Sequence, residues 1–337
     1  MQKTAEAVSL GHPDKTCDYI SSYILDRLIE QDAKVRYAVE VMLKDNTVVL
    51  GGEITGNISL HNLEQYIYDA LSEVGYSKAY SKIWGKYAIE PEKLNIINLI
   101  GCQSPEIAQG VEQNGWGDQG VFVGYACQGE GNISKEQHLA QKLNKYLYQK
   151  AKNSTNLGLD IKTQITLNDD NHITVAIVAI PMLQEQDLRQ EIIKILGEEP
   201  QQLIINGTGN YKYHSSIADC GITGRKLACD FYSTVSPIGG GSPWTKDASK
   251  ADLSLNLYAR KLALQNLNDN DECFVYLSSC IGRCELPSAE IKTIKNGICS
   301  YKKLCITATP SEIIADLKLN QPIFAQLCRD GLLFQGK

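Results

Sequence analysis

Residues 35–55 read VRYAVEVMLKDNTVVLGGEIT. Val35, Tyr37, Val39, Val41 and Leu43 alternate with Arg36, Ala38, Glu40 and Met42, the period-two pattern of a strand with one face in a core. Glu40 falls on the opposite face. Asp45-Asn46 supplies a turn, and residues 47–55 return as a second strand. A helix follows, with Leu63, Ile67, Leu71 and Val74 on one side. The same order recurs downstream. Ile161, Thr163, Ile165 and Leu167 alternate, residues 168–171 turn, residues 172–180 return, and a helix is predicted over 185–196. Residues 272–279 and 289–294 read as strands, and 310–317 as a helix. Upstream, Pro13 suits a first helical turn, and Cys17, Ile20, Ile24, Leu25 and Leu28 give an apolar stripe over residues 13–31. Three strand–turn–strand–helix units predict an α+β protein whose helices cover one face of mainly antiparallel sheets.

Bulk properties narrow the function. The 337 residues suffice for two or three compact units. A formal charge of −6 disfavours a general nucleic-acid or anionic-membrane surface. Any anionic ligand must then be held by a local cluster of cations. No apolar stretch approaches the ~20 residues that cross a bilayer. The first residues, Met-Gln-Lys-Thr-Ala-Glu, lack the apolar core of a secretory signal, so a cytoplasmic protein is expected. The eleven cysteines are irregularly spaced and contain no C-x-x-C pair. Most are expected to be small buried hydrophobes in a reducing compartment.

Four segments break the core-forming pattern, and such breaks tend to mark function. Gly11-His12-Pro13-Asp14-Lys15 opens the first helix, where free amides favour phosphate. His12 and Lys15 can add cationic donors, and Asp14 can hold a magnesium ion; a capped helix start explains the pentapeptide equally well. Gly51-Gly52-Glu53 allows close backbone approach beside a carboxylate suited to an ammonium group, though an exposed turn is the plain alternative. Gly117-Asp118-Gln119-Gly120 leads into a strand, again with a tight turn as the alternative. The richest region runs through Asp219-Cys-Gly-Ile-Thr-Gly-Arg225-Lys226 and Gly239-Gly-Gly-Ser-Pro-Trp-Thr-Lys246-Asp-Ala-Ser-Lys250-Ala-Asp252. Its cations suit a polyphosphate better than they suit a solvated loop. Ser249 and Asp252 have the spacing of a helix cap, and Asp252 can also serve a metal. Neither G-x-x-x-x-G-K-[ST] nor a G-x-G-x-x-G after a strand is present. The residues alone reach a nucleotide or polyphosphate site with magnesium, built by an unusual route.

In order, these segments resemble the signatures of the methionine adenosyltransferase (S-adenosylmethionine synthetase) family. Residues 11–15 match its GHPDK and 52–55 its GEIT. Residues 103–107 resemble QSPDI, 117–120 GDQG, 160–164 DAKSQV, 219–226 DCGLTGRK and 239–252 GGGAFSGKDPSKVD. The resemblance implies three structurally similar α/β-sandwich domains around a pseudo-threefold axis, here 1–101, 113–213 and 214–337. It implies ATP and L-methionine as substrates, Mg²⁺ and a stimulating K⁺, and a homodimer with active sites at its interface, pairing of dimers into tetramers being left open. Carried over by motif, His12, Lys162, Arg225 and Lys246 are the expected catalytic residues. These four, with Asp160, Asn210, Tyr211, Asp219, Lys226 and Ser242, would bind ATP; Tyr211, where the family has phenylalanine, could stack on adenine. Glu53, Gln103, Asp118, Asp219 and Lys250 would bind methionine. Asp14 and Asp252 would hold magnesium, and Glu40 potassium.

Departures from the family pattern fall around the site. Leu10 replaces an acidic residue, Ile238 a histidine, Pro243-Trp244 alters the glycine-rich loop, and Asn210-Tyr211 stands for Arg-Phe. The segment between Gln103 and Gly117, similar to the family's gating loop, is short, as is the C-terminus. Two alternatives remain at this level: a catalytically weak regulatory partner, and a related ATP-dependent enzyme acting on another thioether or amine.

Overall fold

The computed structural model describes residues 2–102 and 115–331. Its strands are β1 (Lys3–Val8), β2 (Arg36–Lys44), β3 (Thr47–Thr55), β4 (Asn95–Gly101), β5 (Gly120–Cys127), β6 (Lys162–Leu167), β7 (Ile173–Ala179), β8 (Gln202–Ile205), β9 (Gly221–Ile222), β10 (Glu272–Ser279), β11 (Ser288–Lys295) and β12 (Ile298–Lys303). They form three four-stranded sheets, β9-β2-β3-β4, β1-β6-β7-β8 and β5-β10-β11-β12.

Each sheet is built on an antiparallel hairpin: β2–β3, β6–β7 or β10–β11. Ahead of each hairpin the chain runs through a strand and then a long helix, Pro13–Ile29, Lys135–Lys152 or Ala251–Leu267. That leading strand does not join its own hairpin. β1 pairs with β6, β5 with β10, and β9 with β2. The exchange is cyclic, first unit to second, second to third, third to first, and it closes the three units into a ring. The α+β architecture of three similar units is therefore present, with each sheet completed by a strand from another third of the chain.

The closing strand depends on what precedes it. Helices lie between β3 and β4 and between β7 and β8, and both pairs are parallel, as crossover connections require. Asn296-Gly297 joins β11 directly to β12, with both residues left-handed, and that pair is antiparallel. Two of the sheets are therefore mixed, and the third, which needs no crossover, is antiparallel throughout.

The expected elements lie close to their observed bounds, with three corrections. The helix expected over 185–196 begins only at Arg189. Gly51 and Gly52 are not in a turn but inside β3. Gly52 adopts φ 146° and lies so close to the Ala38 carbonyl that a β-carbon would overlap it. Burial of cysteine is narrower than expected. Cys17, Cys127, Cys229, Cys273 and Cys328 are buried, whereas Cys102, Cys299 and Cys305 are exposed and the other three are half-buried. Cys299 sits on the edge strand β12, every residue of which faces solvent.

The helix Pro13–Ile29 is the hub of the core. Ile20, Ile24, Leu25 and Leu28 are essentially inaccessible, and so are Asp14, Asp18 and Asp26. Buried carboxylates need partners, and each finds them outside the helix's own unit. Asp14 and Asp18 accept amides of residues 222 and 224, and Asp26 accepts the amides of Phe324 and Ala325.

Candidate active site

The chain places the candidate residues in two clusters. The first is built on the N-terminus of the helix Pro13–Ile29. His12 is its N-cap, with extended backbone, and Pro13 occupies the first position. His12 Nδ1 accepts the Asp14 amide at 3.2 Å. The loop 219–226 docks against this turn. Gly221 lies on the Pro13 carbonyl, where any β-carbon would overlap, and the Ile222 amide donates to Asp14 Oδ1 at 2.8 Å. Lys226 Nζ donates to Asp14 Oδ2 at 2.6 Å, and Arg225 Nε lies 3.7 Å from Oδ1. Burial opposes the Asp14 charge, but the bonds from Lys226 and Ile222 and the Lys226 charge outweigh it and hold the carboxyl below its ordinary value. Burial, and then the charges of Lys226 and Lys162, push the His12 imidazole down to about 3.

Burial and the neighbouring lysines thus favour a neutral imidazole over the cationic donor expected for His12. With Nδ1 accepting an amide, the proton resides on Nε2, which is left as a neutral donor. Lys15 is corrected too. It is buried, donates to Asp230 at 2.8 Å and forms an ion pair with Asp18 at 3.2 Å. Its ammonium also stands over the Trp244 ring, whose Nε1 donates to the same Asp230 oxygen. Lys15 ties the core together and is not free for a ligand.

Asp160 and Lys162 flank this cluster. Asp160 Oδ2 accepts the Ser215 amide at 3.1 Å, and burial pushes its carboxyl up to about 7. The Asp160 carboxyl feels the charges of Lys162, Asp219 and Asp14, and its own charge acts on the Tyr211 hydroxyl, which places these residues around one region. Asn210 and Tyr211 are anchored by Met182: Asn210 Nδ2 donates to its carbonyl, and its amide donates to the Tyr211 carbonyl.

The second cluster belongs to loop 239–252. Lys246 bridges Ala38 of β2 through its backbone, and Lys246 Nζ lies 2.5 Å from Asp252 Oδ2. Gly241 packs directly on the Asp252 carboxylate, leaving no room for a side chain. Lys250 is the N-cap of the helix Ala251–Leu267 but makes no side-chain cap bond. The expected Ser249–Asp252 cap does not form: Asp252 is taken by Lys246, and the Ser249 hydroxyl is buried without a partner. Ser242 sits where this loop meets the first, packed on Gly224. Glu40 also joins the loops, its two carboxylate oxygens accepting the hydroxyls of Thr223 and Thr245. Glu53 lies opposite Ala38 in the β2–β3 register and shares the outward face with Glu40.

Asp118 joins neither cluster within one chain; it is exposed, its carbonyl accepts the Ser279 hydroxyl and its carboxylate the Gln119 amide. Gln103 lies outside the described residues. No group of three or more His, Cys, Asp or Glu suited to a metal ion occurs among the described residues. Asp230, Thr223 and Thr245 were missed by sequence reasoning. Only the two threonines carried a signal, as hydroxyls inside the two glycine-rich loops.

Known proteins are similar to this chain in sequence and fold. Models of the S-adenosylmethionine synthetase N-terminal, central and C-terminal domains match residues 1–105, 113–214 and 214–336. The chain belongs to the S-adenosylmethionine synthetase family. It is 32% identical over 354 residues to S-adenosylmethionine synthase of Helicobacter pylori (strain G27), covering 96% of this chain and 90% of that protein. It is 30% identical over 360 residues to S-adenosylmethionine synthase 2 of Rhodospirillum rubrum, covering 97% and 90%. Among solved structures, the unusual S-adenosylmethionine synthetase from Campylobacter jejuni superposes with a TM-score of 0.86 at 29% identity, covering 98% of this chain and 94% of that one. S-adenosylmethionine synthetases are transferases that take ATP and methionine and use divalent and monovalent cations. Among the described residues no helix is long and apolar enough to cross a membrane.

Proposed function

We propose that this S-adenosylmethionine synthetase joins ATP to L-methionine by sulfur attack on C5′, then hydrolyses the released triphosphate to phosphate and diphosphate. The observation that carries the reading is the first cluster: two cations, a neutral imidazole donor and a buried carboxylate packed on a helix N-terminus. Methionine sulfur is already nucleophilic and needs no base. The barrier lies in the leaving group, whose charge grows as the C5′–O bond breaks. Arg225, Lys226, Lys162 and Lys246 would stabilise that charge, and His12 Nε2 would donate to the oxygen that departs.

Asp14 and Asp252 fit magnesium. Each is a lone hard carboxylate beside cations, the setting in which Mg²⁺ takes one or two protein oxygens and completes its shell with substrate phosphates. An ion held there would supply charge neutralisation of the phosphates, and Lys226 and Lys246, now paired with the same carboxylates, would then be available to phosphate oxygens. Glu40 is the proposed potassium ligand. Asp160, Asn210, Tyr211, Asp219 and Ser242 would complete the ATP site, and Glu53, Gln103, Asp118, Asp219 and Lys250 the methionine site.

A homodimer with active sites at its interface belongs to the same reading, and an exposed apolar face supports it. The β2-β3-β4 face that carries Glu40 and Glu53 also presents Met42, Ile97 and Leu99, and Leu99 is 66% exposed. Such an apolar face suits burial against a second copy. A cytoplasmic setting agrees with the composition.

Incubation with ATP, L-methionine, Mg²⁺ and K⁺ tests the activity. S-adenosylmethionine and phosphate are expected. No product from any thioether would favour a regulatory partner, and product from another thioether alone would change the substrate.

A further inference from the structure

Ten non-glycine residues with positive φ are found among those described, and Thr245, at φ 81°, is the only β-branched one. Six of the others are asparagine or aspartate, which tolerate this region; a β-branched side chain there is a genuine outlier. Strain of this kind persists where the surroundings over-determine it, and it collects at functional loops. Lys246 is the next residue.

Two sets of contacts hold Thr245. Its carbonyl accepts the Val39 amide at 2.9 Å, and the Asp247 amide donates to the Tyr37 carbonyl at 3.0 Å. Its hydroxyl donates to Glu40 Oε1 at 3.1 Å. The other Glu40 oxygen takes the hydroxyl of Thr223, whose amide bonds the Val41 carbonyl at 3.1 Å on the same edge of β2. Segments 221–223 and 245–247 thus lie end to end along that edge. Glu40 stands at the gap between them and binds one hydroxyl from each.

Glycine would adopt this backbone without strain but cannot reach Glu40. Valine has the shape but lacks the donor. A threonine in a conformation that penalises it points to the hydroxyl as the part that matters. We propose that Thr245 is a positioning residue for Lys246: its bond to Glu40 fixes the peptide that carries the lysine and, with Thr223, sets the spacing of the two glycine-rich loops. The proposal rests on the reading of Lys246 as a cation for the triphosphate.

Three variants test it. Thr245→Ser keeps kcat within about twofold of wild type, because the hydroxyl remains. Thr245→Val and Thr245→Gly each lower kcat by about tenfold or more, with KM for ATP changed by less than about threefold. Thr245→Gly does so with Tm at or above that of wild type. Wild-type kcat in Thr245→Val, an effect confined to KM, or losses of kcat that follow losses of Tm across the series would overturn the proposal. Hydrogen exchange at the Val39 amide reads the same latch without turnover, and is expected to quicken by about tenfold in Thr245→Val and Thr245→Gly only. If wild type makes no S-adenosylmethionine, the functional reading fails while the exchange rates still decide the latch. Unchanged exchange in Thr245→Val overturns the latch even in an active enzyme.

Discussion

Lys226 Nζ lies 2.6 Å from Asp14 Oδ2, joining the last residue of a glycine-rich loop to the first turn of a helix 212 positions earlier. The Asp14 side chain is only 1% exposed, so its charge depends on this partner, whereas Asp252 beneath Lys246 is 16% exposed and keeps some water. The two lysines should therefore fail differently. Lys226→Met is expected to lower turnover by about a hundredfold and stability by roughly 1–3 kcal/mol. Lys246→Ala is expected to lose turnover to a similar extent, about a hundredfold, while stability changes by less than about 1 kcal/mol. Urea unfolding beside steady-state kinetics separates the two. Wild-type-like turnover in Lys246→Ala would count against its place in the site.

Lys15 provides the opposite case. It stands one residue from Asp14, yet its ammonium is buried between Asp230 and Asp18 and over Trp244. Removing one partner of a buried charge group strands the others. Lys15→Met is expected to cost about 3–5 kcal/mol, with folding impaired before any effect on substrate affinity can be seen. A stable, correctly folded Lys15→Met protein with a raised KM for ATP would show that the lysine faces ligand instead.

The difference between Lys15 and Lys226 marks where sequence reading ran out. Alternation in residues 35–55 defined β2 and β3 because a half-buried strand writes its orientation locally, and Glu40 was placed on the outward face for that reason. The direction of Lys15 is set by Asp230, more than two hundred residues away, and no local pattern encodes it. The same holds for the exchanged strands. β9 is two residues long and is defined only by its pairing with Met42 and Leu43. The Ser249–Asp252 spacing satisfied a cap rule, but a nearby ammonium competed successfully for Asp252. The left-handed backbone at Thr245 runs against residue type, so composition argued against the very conformation observed.

Gly221 is a close approach of loop to helix in the first cluster, since a β-carbon there would lie 2.4 Å from the Pro13 carbonyl oxygen. Gly221→Ala would push the loop off the helix end and disturb the Ile222–Asp14 bond. An expected cost of about 1–3 kcal/mol, typical of overpacking, should appear in urea denaturation together with weakened ATP binding. Gly240, which meets nothing nearby, is the control, and Gly240→Ala should leave stability within about 0.5 kcal/mol. Equal behaviour of the two variants would contradict the close approach.

His214 supplies a test by pH. It is 1% exposed, with Nδ1 on the Lys212 carbonyl at 2.8 Å and Nε2 on the Tyr80 hydroxyl at 2.6 Å, and the Tyr76, Tyr80 and Trp84 rings surround it. A neutral imidazole satisfies both bonds, Nδ1–H donating and Nε2 accepting. Burial pushes its pKa down to about 4 from an ordinary 6.5. The folded value is the lower one, so the unfolded chain takes up the proton first as pH falls. The contribution to stability is complete above pH 6.5 and is lost on descent toward pH 4, by about 3 kcal/mol in all. His214→Asn removes the titration. Its stability deficit relative to wild type should therefore be largest near pH 7 and shrink toward pH 4, whatever the carboxylates contribute in common to both proteins. Urea midpoints at pH 7, 5.5 and 4.5 measure this directly, and a constant gap between the two proteins across that range would show that His214 is not held neutral by the fold.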